Sequence, residues 1–336
     1  MLLHNKTTGE SLEVTLRPFR AEDASQVITC IRDAYGDSYV KPFLYTEEGV
    51  LHHDKTGEMR FSIAAAGDTV IGITGCELSN SFPGMAEVAC QIVRREYNGY
   101  GLALPLALYA MKPAETLPLT GQFARALGCH RISQKTLDGM GFTACGFLLN
   151  VFDKEVFLHR FDNGNYAKIP QSVAVKRQGK TDAGSVWLPE ELVPLADTMY
   201  QKLGLFWKHQ AEGSMLSGVS RMERDEALNH ATLTLWARTC GEDFAARLAS
   251  ELSAVAGRPG QTVNLYLNLS SPGSGVAYQE ARRQGFLFTG FLPCGADGEY
   301  IILHHPLQVP VLLDGIPHIP EYAPFMAQIR RQLCSK

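Results

Sequence analysis

The sequence predicts an α/β protein made of two similar units, each a mixed, mostly antiparallel sheet flanked by helices. Short apolar runs that alternate like strands are interleaved with segments whose apolar residues recur at helical spacing. At 336 residues, the chain is too long for one compact core. The order of predicted elements in the first half also recurs in the second, which indicates a repeat.

The predicted order in the first half is β, α, α, β, β, β, α, β, α, β, β. Residues 12–16 alternate as a short strand, and two helices follow. The next two strands, Met59–Ala66 and Thr69–Leu78, are joined by Gly67-Asp68, which favours a hairpin. This order is typical of an α/β layer around a largely antiparallel sheet.

The repeat is visible in the only four Gly-Phe dipeptides of the chain. The second pair lies 144 positions after the first and has the same internal spacing, the four being Gly141-Phe142, Gly146-Phe147, Gly285-Phe286 and Gly290-Phe291. We therefore predict a tandem duplication, with a first half at residues 1–180 and a second half at residues 185–336. The two halves could pack as an intramolecular pseudo-dimer.

Composition excludes several classes of function. A net charge of −4 without a dense basic tract gives no reason to expect a nucleic-acid partner. The N-terminal residues lack the apolar core of a signal peptide, and no apolar run is long enough to span a membrane, so we expect a cytoplasmic protein without a membrane partner. The eight cysteines include no Cys-x-x-Cys pair, and we expect neither disulfides nor a metal site.

The strongest functional signal lies in residues 85–109. An apolar run ends at Val93, a polar turn with Gly99 and Gly101 follows, and an Ala/Leu-rich segment then predicts a helix. The first N–H groups of a helix have no internal partners, and the helix dipole adds partial positive charge there. Because glycine lets an anion approach the main chain closely, this turn is a candidate pyrophosphate site.

A strand, a loop of the type Arg/Gln-x-x-Gly-x-Gly/Ala and a helix, with a later helix that ends in Gly-Phe, resembles the GNAT superfamily of acyl-CoA-dependent N-acyltransferases. Residues 96–101 (EYNGYG) occupy the loop in the first half and residues 238–243 (RTCGED) in the second. Residues 130–135 (HRISQK), before Gly141, further resemble a bacterial subgroup of tandem GNAT proteins. The resemblance implies two GNAT-like domains and acetyl-CoA, or another acyl-CoA, as co-substrate, with no metal.

The resemblance also implies a cofactor site in the first half. Main-chain N–H groups of the loop would bind the pyrophosphate of coenzyme A, and the edge of the preceding strand would pair with the pantetheine amides. The residues implied are Ile92, Val93, Arg94, Tyr97, Asn98, Gly99, Tyr100, Gly101 and Leu102.

Three residues depart from the family pattern. Glu96 stands where the family has Arg or Gln and places a carboxylate near a pyrophosphate, unless it points away or pairs with a neighbouring arginine. Pro105 removes a main-chain donor just inside the following helix. In the second half, Asp243 adds bulk and negative charge, so we expect that half to be degenerate and to bind coenzyme A poorly or not at all.

Catalysis in this superfamily requires removal of a proton from the acceptor amine and protonation of the departing thiolate. Glu87 stands where some members carry a general-base glutamate, and it also fits a plain carboxylate at a strand edge. Leu137 replaces the tyrosine that often serves as general acid. His130, Ser133 or Tyr100 could substitute for that tyrosine, although His130 also fits a capping or packed histidine.

Two functions of different classes fit these residues. The first is an N-acyltransferase that moves an acetyl or other short acyl group from coenzyme A to a small-molecule or peptide amine. The second is a non-catalytic module that senses acyl-CoA or binds a protein partner and keeps only the GNAT fold. Gly99 and Gly101 favour the first, whereas Glu96 and the missing tyrosine favour the second.

Overall fold

The computed structural model of the protein describes residues 1–79, 81–154, 165–211, 213–227 and 230–334. Its fold is α/β: a twelve-stranded mixed sheet and two small two-stranded sheets, with helices packed on the large sheet. The predicted fold class is confirmed. None of the helices in these ranges combines the length and the apolar character needed to cross a membrane.

The first half begins with a short hairpin and continues in the predicted order of elements. Its strands are β1 (Leu2–His4), β2 (Ser11–Glu13), β3 (Thr15–Pro18), β4 (Met59–Ala66), β5 (Thr69–Leu78), β6 (Met85–Val93), β7 (Gly121–Leu127), β8 (Thr143–Phe152) and β9 (Ile169–Arg177). Its helices are α1 (Ala24–Tyr35), α2 (Glu47–Thr56), α3 (Ala103–Glu115) and α4 (Ile132–Gly139).

The second half repeats the later part of that order. Its strands are β10 (Asp182–Trp187), β11 (Phe206–Gln210), β12 (Arg221–Ala227), β13 (Thr232–Thr239), β14 (Thr262–Asn268), β15 (Leu287–Gly295) and β16 (Gly298–His305). Its helices are α5 (Val193–Leu203), α6 (Phe244–Val255), α7 (Ser274–Arg283) and α8 (Ala323–Cys334). Among the described residues, α2 has no counterpart in this half.

The large sheet runs through both halves in the order β12-β13-β14-β16-β15-β8-β9-β7-β6-β5-β4-β3. Neighbouring strands are antiparallel except for β6–β7 and β13–β14. These two parallel pairs occupy equivalent places, because each precedes one of the equivalent helices α4 and α7. The repeat predicted from the Gly-Phe dipeptides is therefore present in the sheet topology.

The halves meet where β8 pairs with β15, at Gly146 and Gly290. A Cβ atom on Gly146 would lie 2.4 Å from the Cα of Gly290, and one on Gly290 would lie 2.6 Å from the carbonyl oxygen of Cys145. Any side chain at either position would force the strands apart. The repeated glycines thus allow the sheet to continue from one half into the other.

Aromatic packing also joins the halves. The Phe82 ring lies against Trp236 and Tyr266, with centroid distances of 4.3 and 5.2 Å. It also lies against Phe123, which belongs to the first half. All four side chains belong to one hydrophobic core that contains residues of both halves, so the halves are packed together rather than tethered.

Two details differ from the prediction. Residues 12–16 form the ends of two strands, because the buried Val14 separates β2 from β3 and donates its N–H to the carbonyl of Met1. The hairpin of β1 and β2 was not predicted, since strands of three residues carry too little alternation to be recognised.

Candidate functional site

A cavity of about 1000 Å³ opens between β6 and β7 and extends to the second half. The two strands pair in parallel only from Met85 with Gly121 to Glu87 with Phe123. Beyond Glu87 they diverge, and residues of both strands line the gap. The gap therefore exposes the edge of β6 that would otherwise be paired with β7.

A bulge in β6 marks the place where the strands part. Cys90 has a φ of 51°, in the left-handed region that a non-glycine residue seldom adopts. The register with β5 shifts between Ile73 and Gly75, next to this residue. Because a bulge bends its strand and increases the local twist, it turns the end of β6 away from the sheet plane.

The loop after β6 places free main-chain donors at one end of the cavity. Gly99 and Gly101 have φ values of 91° and 73°, and α3 begins at Ala103. In the described part of the chain, no group accepts a hydrogen bond from the N–H groups of residues 99–104. With the dipole of α3 behind them, these donors could hold an anion, and this end of the cavity is called here the anion site.

The N-terminal hairpin lies over this loop. The N–H of Lys6 donates to the carbonyl of Gly99 at 3.1 Å, and the side-chain amide of Asn5 donates to the carbonyl of Asn98 at 3.3 Å. Lys6 lines the cavity, and its Cε lies 4.0 Å from the position of a Cβ on Gly101. The hairpin thus brings a cation to the anion site, which the sequence did not suggest.

The structure accommodates Glu96 and Pro105, the two residues of the first-half loop and helix that depart from the family pattern. The carboxylate of Glu96 pairs with the guanidinium of Arg94 at 2.8 Å. Pairing with a neighbouring arginine was one of the two alternatives considered from the sequence. Pro105 stands in the first turn of α3, where N–H groups have no helical acceptor in any case. The helix continues to Glu115, so Pro105 does not disrupt it.

Glu87 and Arg125 form an ion pair inside the cavity, at the point where β6 and β7 separate. The Nε and Nη2 atoms of Arg125 donate to the two carboxylate oxygens of Glu87 at 2.9 and 2.8 Å. Burial would raise the pKa of the Glu87 carboxyl, but the charge and hydrogen bonds of Arg125 outweigh burial and lower it. Glu87 is therefore ionised and is a weak base.

The segment between α1 and α2 forms another wall of the cavity. Tyr39 donates its hydroxyl proton to the sulfur of Cys90 at 3.2 Å, and burial raises the pKa of Tyr39 well above its ordinary value. Lys41 pairs with Glu77 at 2.5 Å. Tyr39 thus keeps its proton at neutral pH and remains a hydrogen-bond donor.

The cavity brings together most of the predicted site residues. All three predicted catalytic residues line it, namely Glu87, His130 and Ser133, and so do six of the nine predicted cofactor residues, namely Val93, Tyr97, Asn98, Gly99, Gly101 and Leu102. Ile92, Arg94 and Tyr100 are not among the lining residues. The Ile92 side chain is buried against the core under α1. Leu137 lines the cavity where the family often has tyrosine.

The equivalent loop of the second half has a different environment. The N–H of Gly241 donates to the hydroxyl of Ser220 at 2.9 Å, and that of Glu242 donates to the carbonyl of Gly218 at 3.0 Å. The Asp243 carboxylate accepts from the N–H of Ser220 at 2.7 Å. Residues 218–220 therefore fill the space that an anion would need and accept hydrogen bonds from the N–H groups that would bind it.

Several lining residues were missed by the sequence argument. Arg125 and Lys41 line the cavity from the first half, and Tyr266 does so from the second. The pattern of the loop contains no information about them, because they come from other strands and from the segment between helices. For Tyr266, the packing of the two halves decides its place.

No family model matches the sequence, and no curated protein matches it. Solved structures do match parts of it. An N-acetyltransferase from Staphylococcus aureus Mu50 is 16% identical with a TM-score of 0.42, and the match covers 49% of this chain and 98% of that one. A ribosomal-protein-alanine N-acetyltransferase from Brucella melitensis is 16% identical with a TM-score of 0.41, covering 48% and 99%.

A variant of a spermidine N-acetyltransferase from Vibrio cholerae is 19% identical with a TM-score of 0.39, and the match covers 49% of this chain and 94% of that one. Each match spans about half of this chain and nearly all of the other protein. At these identities the likeness is one of fold. A putative acetyltransferase of the GNAT family from Desulfovibrio desulfuricans is 14% identical with a TM-score of 0.38, and the match covers 49% of this chain and 99% of that one.

Proposed function

We propose that the protein is an N-acyltransferase that moves an acetyl or another short acyl group from coenzyme A to an amine in the first-half cavity. One observation carries the proposal: a single cavity joins the free N–H groups of residues 99–104 to the Glu87–Arg125 ion pair. Such a cavity suits an elongated substrate with an anionic end and a reactive end. Acyl-CoA has this form.

The anionic end would be held by main-chain donors. The N–H groups that follow Asn98 are unpaired and stand at the start of α3, and Lys6 adds a positive charge beside them. The pantetheine amides would pair with the edge of β6 beyond Glu87, which β7 leaves open. This arrangement would direct the thioester toward the ion pair.

In the transfer step, the amine nitrogen bonds to the thioester carbon and gives up a proton, the carbon–sulfur bond breaks, and the sulfur leaves as a thiolate that takes up a proton in turn. Because Arg125 lowers the pKa of Glu87, this carboxylate is better suited to hold an acceptor by its negative charge than to remove a proton. The Tyr39 hydroxyl would have to turn from Cys90 to donate its proton to the departing sulfur. His130 and Ser133 stay predicted candidates for proton transfer.

A second function is favoured by one observation. Leu137 offers no proton at the position of the family's tyrosine, and Glu87 is a weak base, which favours cofactor binding without efficient proton transfer. A module that binds acyl-CoA without turnover would have these features.

Calorimetric titration with acetyl-CoA, followed by chromatographic measurement of coenzyme A release in the presence of amines, separates the two functions. The acyltransferase proposal predicts binding and amine-dependent release. Binding without release across small amines and peptides would favour the sensing module. Absence of binding up to millimolar acetyl-CoA would refute both.

A further inference from the structure

The second half turns a polar face of its sheet toward the cavity. Asp225, Thr234, Asn264 and His304 are cross-strand partners on β12, β13, β14 and β16. Directly paired residues point to the same face of a sheet, so these four form one row, called here the polar row. Asp225, Thr234 and Asn264 line the cavity.

The equivalent face of the first half is apolar. Gly241 lies 142 positions after Gly99, and the same offset aligns Thr234 with Ile92. Ile92 is buried in the hydrophobic cluster that includes residues of α1 and α2. The second half has no counterpart of α2 in its described ranges, and this face looks into the cavity instead. Burying polar groups costs free energy unless they find partners, so packing alone does not account for the polar row.

His304 holds Asn264 in a defined orientation. The distance between Nδ1 of His304 and Oδ1 of Asn264 is 3.0 Å, and His304 is fully buried. Burial lowers the pKa of His304 to about 3, so the ring is neutral at pH 7 and donates its Nδ1 proton to the amide oxygen. The amide nitrogen of Asn264, which is 2% exposed, is then left to donate to whatever occupies the cavity.

His230 lies beside the polar row with unmet hydrogen-bonding capacity. It is 6% exposed and lines the cavity, and neither ring nitrogen has a hydrogen-bond partner in the described part of the chain. A neutral imidazole has one donor and one acceptor, and leaving both unmet in a buried place is costly. A polar ligand in the cavity would satisfy them.

Tyr266 connects this wall to the reactive end of the cavity. It follows Asn264 on the same face of β14, and its ring stacks on Trp236 with centroids 4.1 Å apart. Tyr266 lines the same cavity as Arg125 and Glu87. The wall therefore runs from the exposed Asp225 to Tyr266, in the cavity that also contains the ion pair.

We propose that the second half supplies the acceptor site: the polar row, with His230 and Tyr266, binds a small amine that carries hydroxyl groups. This rests on the proposed acyl transfer in the first half. Uncharged donors and acceptors dominate the wall, and Asp225 is its one charged side chain, which suits hydroxyl groups better than a polyamine. Side chains as buried as Asn264 and His230 are out of reach for the N-terminus of a folded protein.

The first test compares acceptors and variants at saturating acetyl-CoA, with release of coenzyme A measured by chromatography. Glucosamine, serinol and ethanolamine should be acetylated in preference to butylamine, spermidine and an alanine-leading tripeptide. Thr234→Val and Asn264→Leu should each raise the KM of the best hydroxylated amine about tenfold, the effect of one lost hydrogen bond, with the Kd of acetyl-CoA unchanged.

Thr289→Val is the matched control, because Thr289 is a buried strand residue of the same half that does not line the cavity. Its KM should equal that of the parent. Preference for butylamine, spermidine or the tripeptide would overturn the proposal. So would an unchanged KM in both polar-row variants.

A second readout requires no turnover. In a Trp187→Phe, Trp207→Phe background, Trp236 is the remaining tryptophan, and it stacks on Tyr266 in the cavity wall. Hydroxylated amines should change its emission, and Asn264→Leu should weaken that response. If they bind but acetyl-CoA gives no transfer, the acceptor site stands and the proposed function fails. If transfer occurs and the wall variants leave the KM unchanged, the proposed function stands and the acceptor site fails. If hydroxylated amines give no transfer and no change in emission, the acceptor-site proposal is overturned.

Discussion

Replacing Arg125 by methionine tests whether the ion pair holds β6 and β7 at the point where they separate. The variant keeps most of the aliphatic stem of Arg125 but leaves the Glu87 carboxylate without its two hydrogen bonds. A buried charge without a partner destabilises the folded state more than the intact pair stabilises it. We expect Arg125→Met to be less stable than the parent and to bind acetyl-CoA more weakly.

The magnitude follows from the exposure of the two side chains, which is 10% for Glu87 and 37% for Arg125. Breaking a fully buried pair costs about 3–5 kcal/mol, and solvent near Arg125 reduces this to roughly 2 kcal/mol. For a chain of this length, that loss lowers the Tm by on the order of 5 °C. Adding Glu87→Gln removes the unpaired charge and should restore most of the loss.

The pH dependence has a definite sign. In the parent, the pKa of Glu87 is below 4.5, so its contribution to stability is present above pH 4.5 and is lost as the pH falls through the folded-state pKa. In Arg125→Met, burial acts without the opposing cation and raises that pKa above 4.5. The difference in Tm between parent and variant should therefore be full at pH 7, begin to shrink above pH 4.5 as Glu87 of the variant takes up a proton, and shrink further below pH 4.5 as Glu87 of the parent does so.

Differential scanning fluorimetry from pH 4 to pH 8 measures these effects. Arg20→Met is the matched control, because Arg20 and Glu22 form an exposed pair with side chains 63% and 71% exposed. It should change the Tm little. A Tm of Arg125→Met equal to that of the parent, or no rescue by Glu87→Gln, would refute the role assigned to the ion pair.

Three further predictions concern the cofactor loop and the sheet junction. Gly99→Asp should raise the Kd of acetyl-CoA at least about tenfold in calorimetry, because it adds a carboxylate to the anion site. Gly67→Asp is the control and should leave the Kd unchanged, because Gly67 lies at a left-handed turn where a Cβ would have nothing within 4 Å. Equal effects of the two substitutions would contradict this prediction. Lys6→Ala should weaken binding and reduce its salt dependence; identical Kd values of parent and variant at about 50 mM and at about 300 mM salt would exclude a phosphate contact. Gly146→Ala should lower the Tm, since its Cβ would lie 2.4 Å from the Cα of Gly290; unchanged melting would show that the junction yields easily.

The fold was predictable to a large extent because local patterns specify its elements. Alternation and helical spacing predicted the order from β3 to β9, and the spacing of the Gly-Phe dipeptides predicted the repeat. The sequence did not predict β11, which is only five residues long, or β12, whose charged residues give no apolar alternation. The direct pairing of Gly146 with Gly290 was also beyond sequence reasoning, since no local pattern states which strand edges meet.

The comparison of Gly99 with Gly241 shows a limit of reasoning by repeat. From the sequence, Gly241→Asp should change little, because the second loop is degenerate. In the structure, a Cβ on Gly241 would lie 2.2 Å from the carbonyl oxygen of Gly218. The substitution would therefore strain the fold, and Gly67→Asp is the better control.

By itself, the sequence determined the strand, glycine turn and helix around Gly99, because a few adjacent residues set backbone conformation and free donors there. It also placed Glu87 on the strand that leads into this turn. Only the tertiary structure decided that Arg125 neutralises Glu87 and that the second half lines the same cavity with its polar row. Those contacts join residues far apart in the chain, and they depend on strand divergence, a bulge and the docking of two halves, which are properties of the packed sheet.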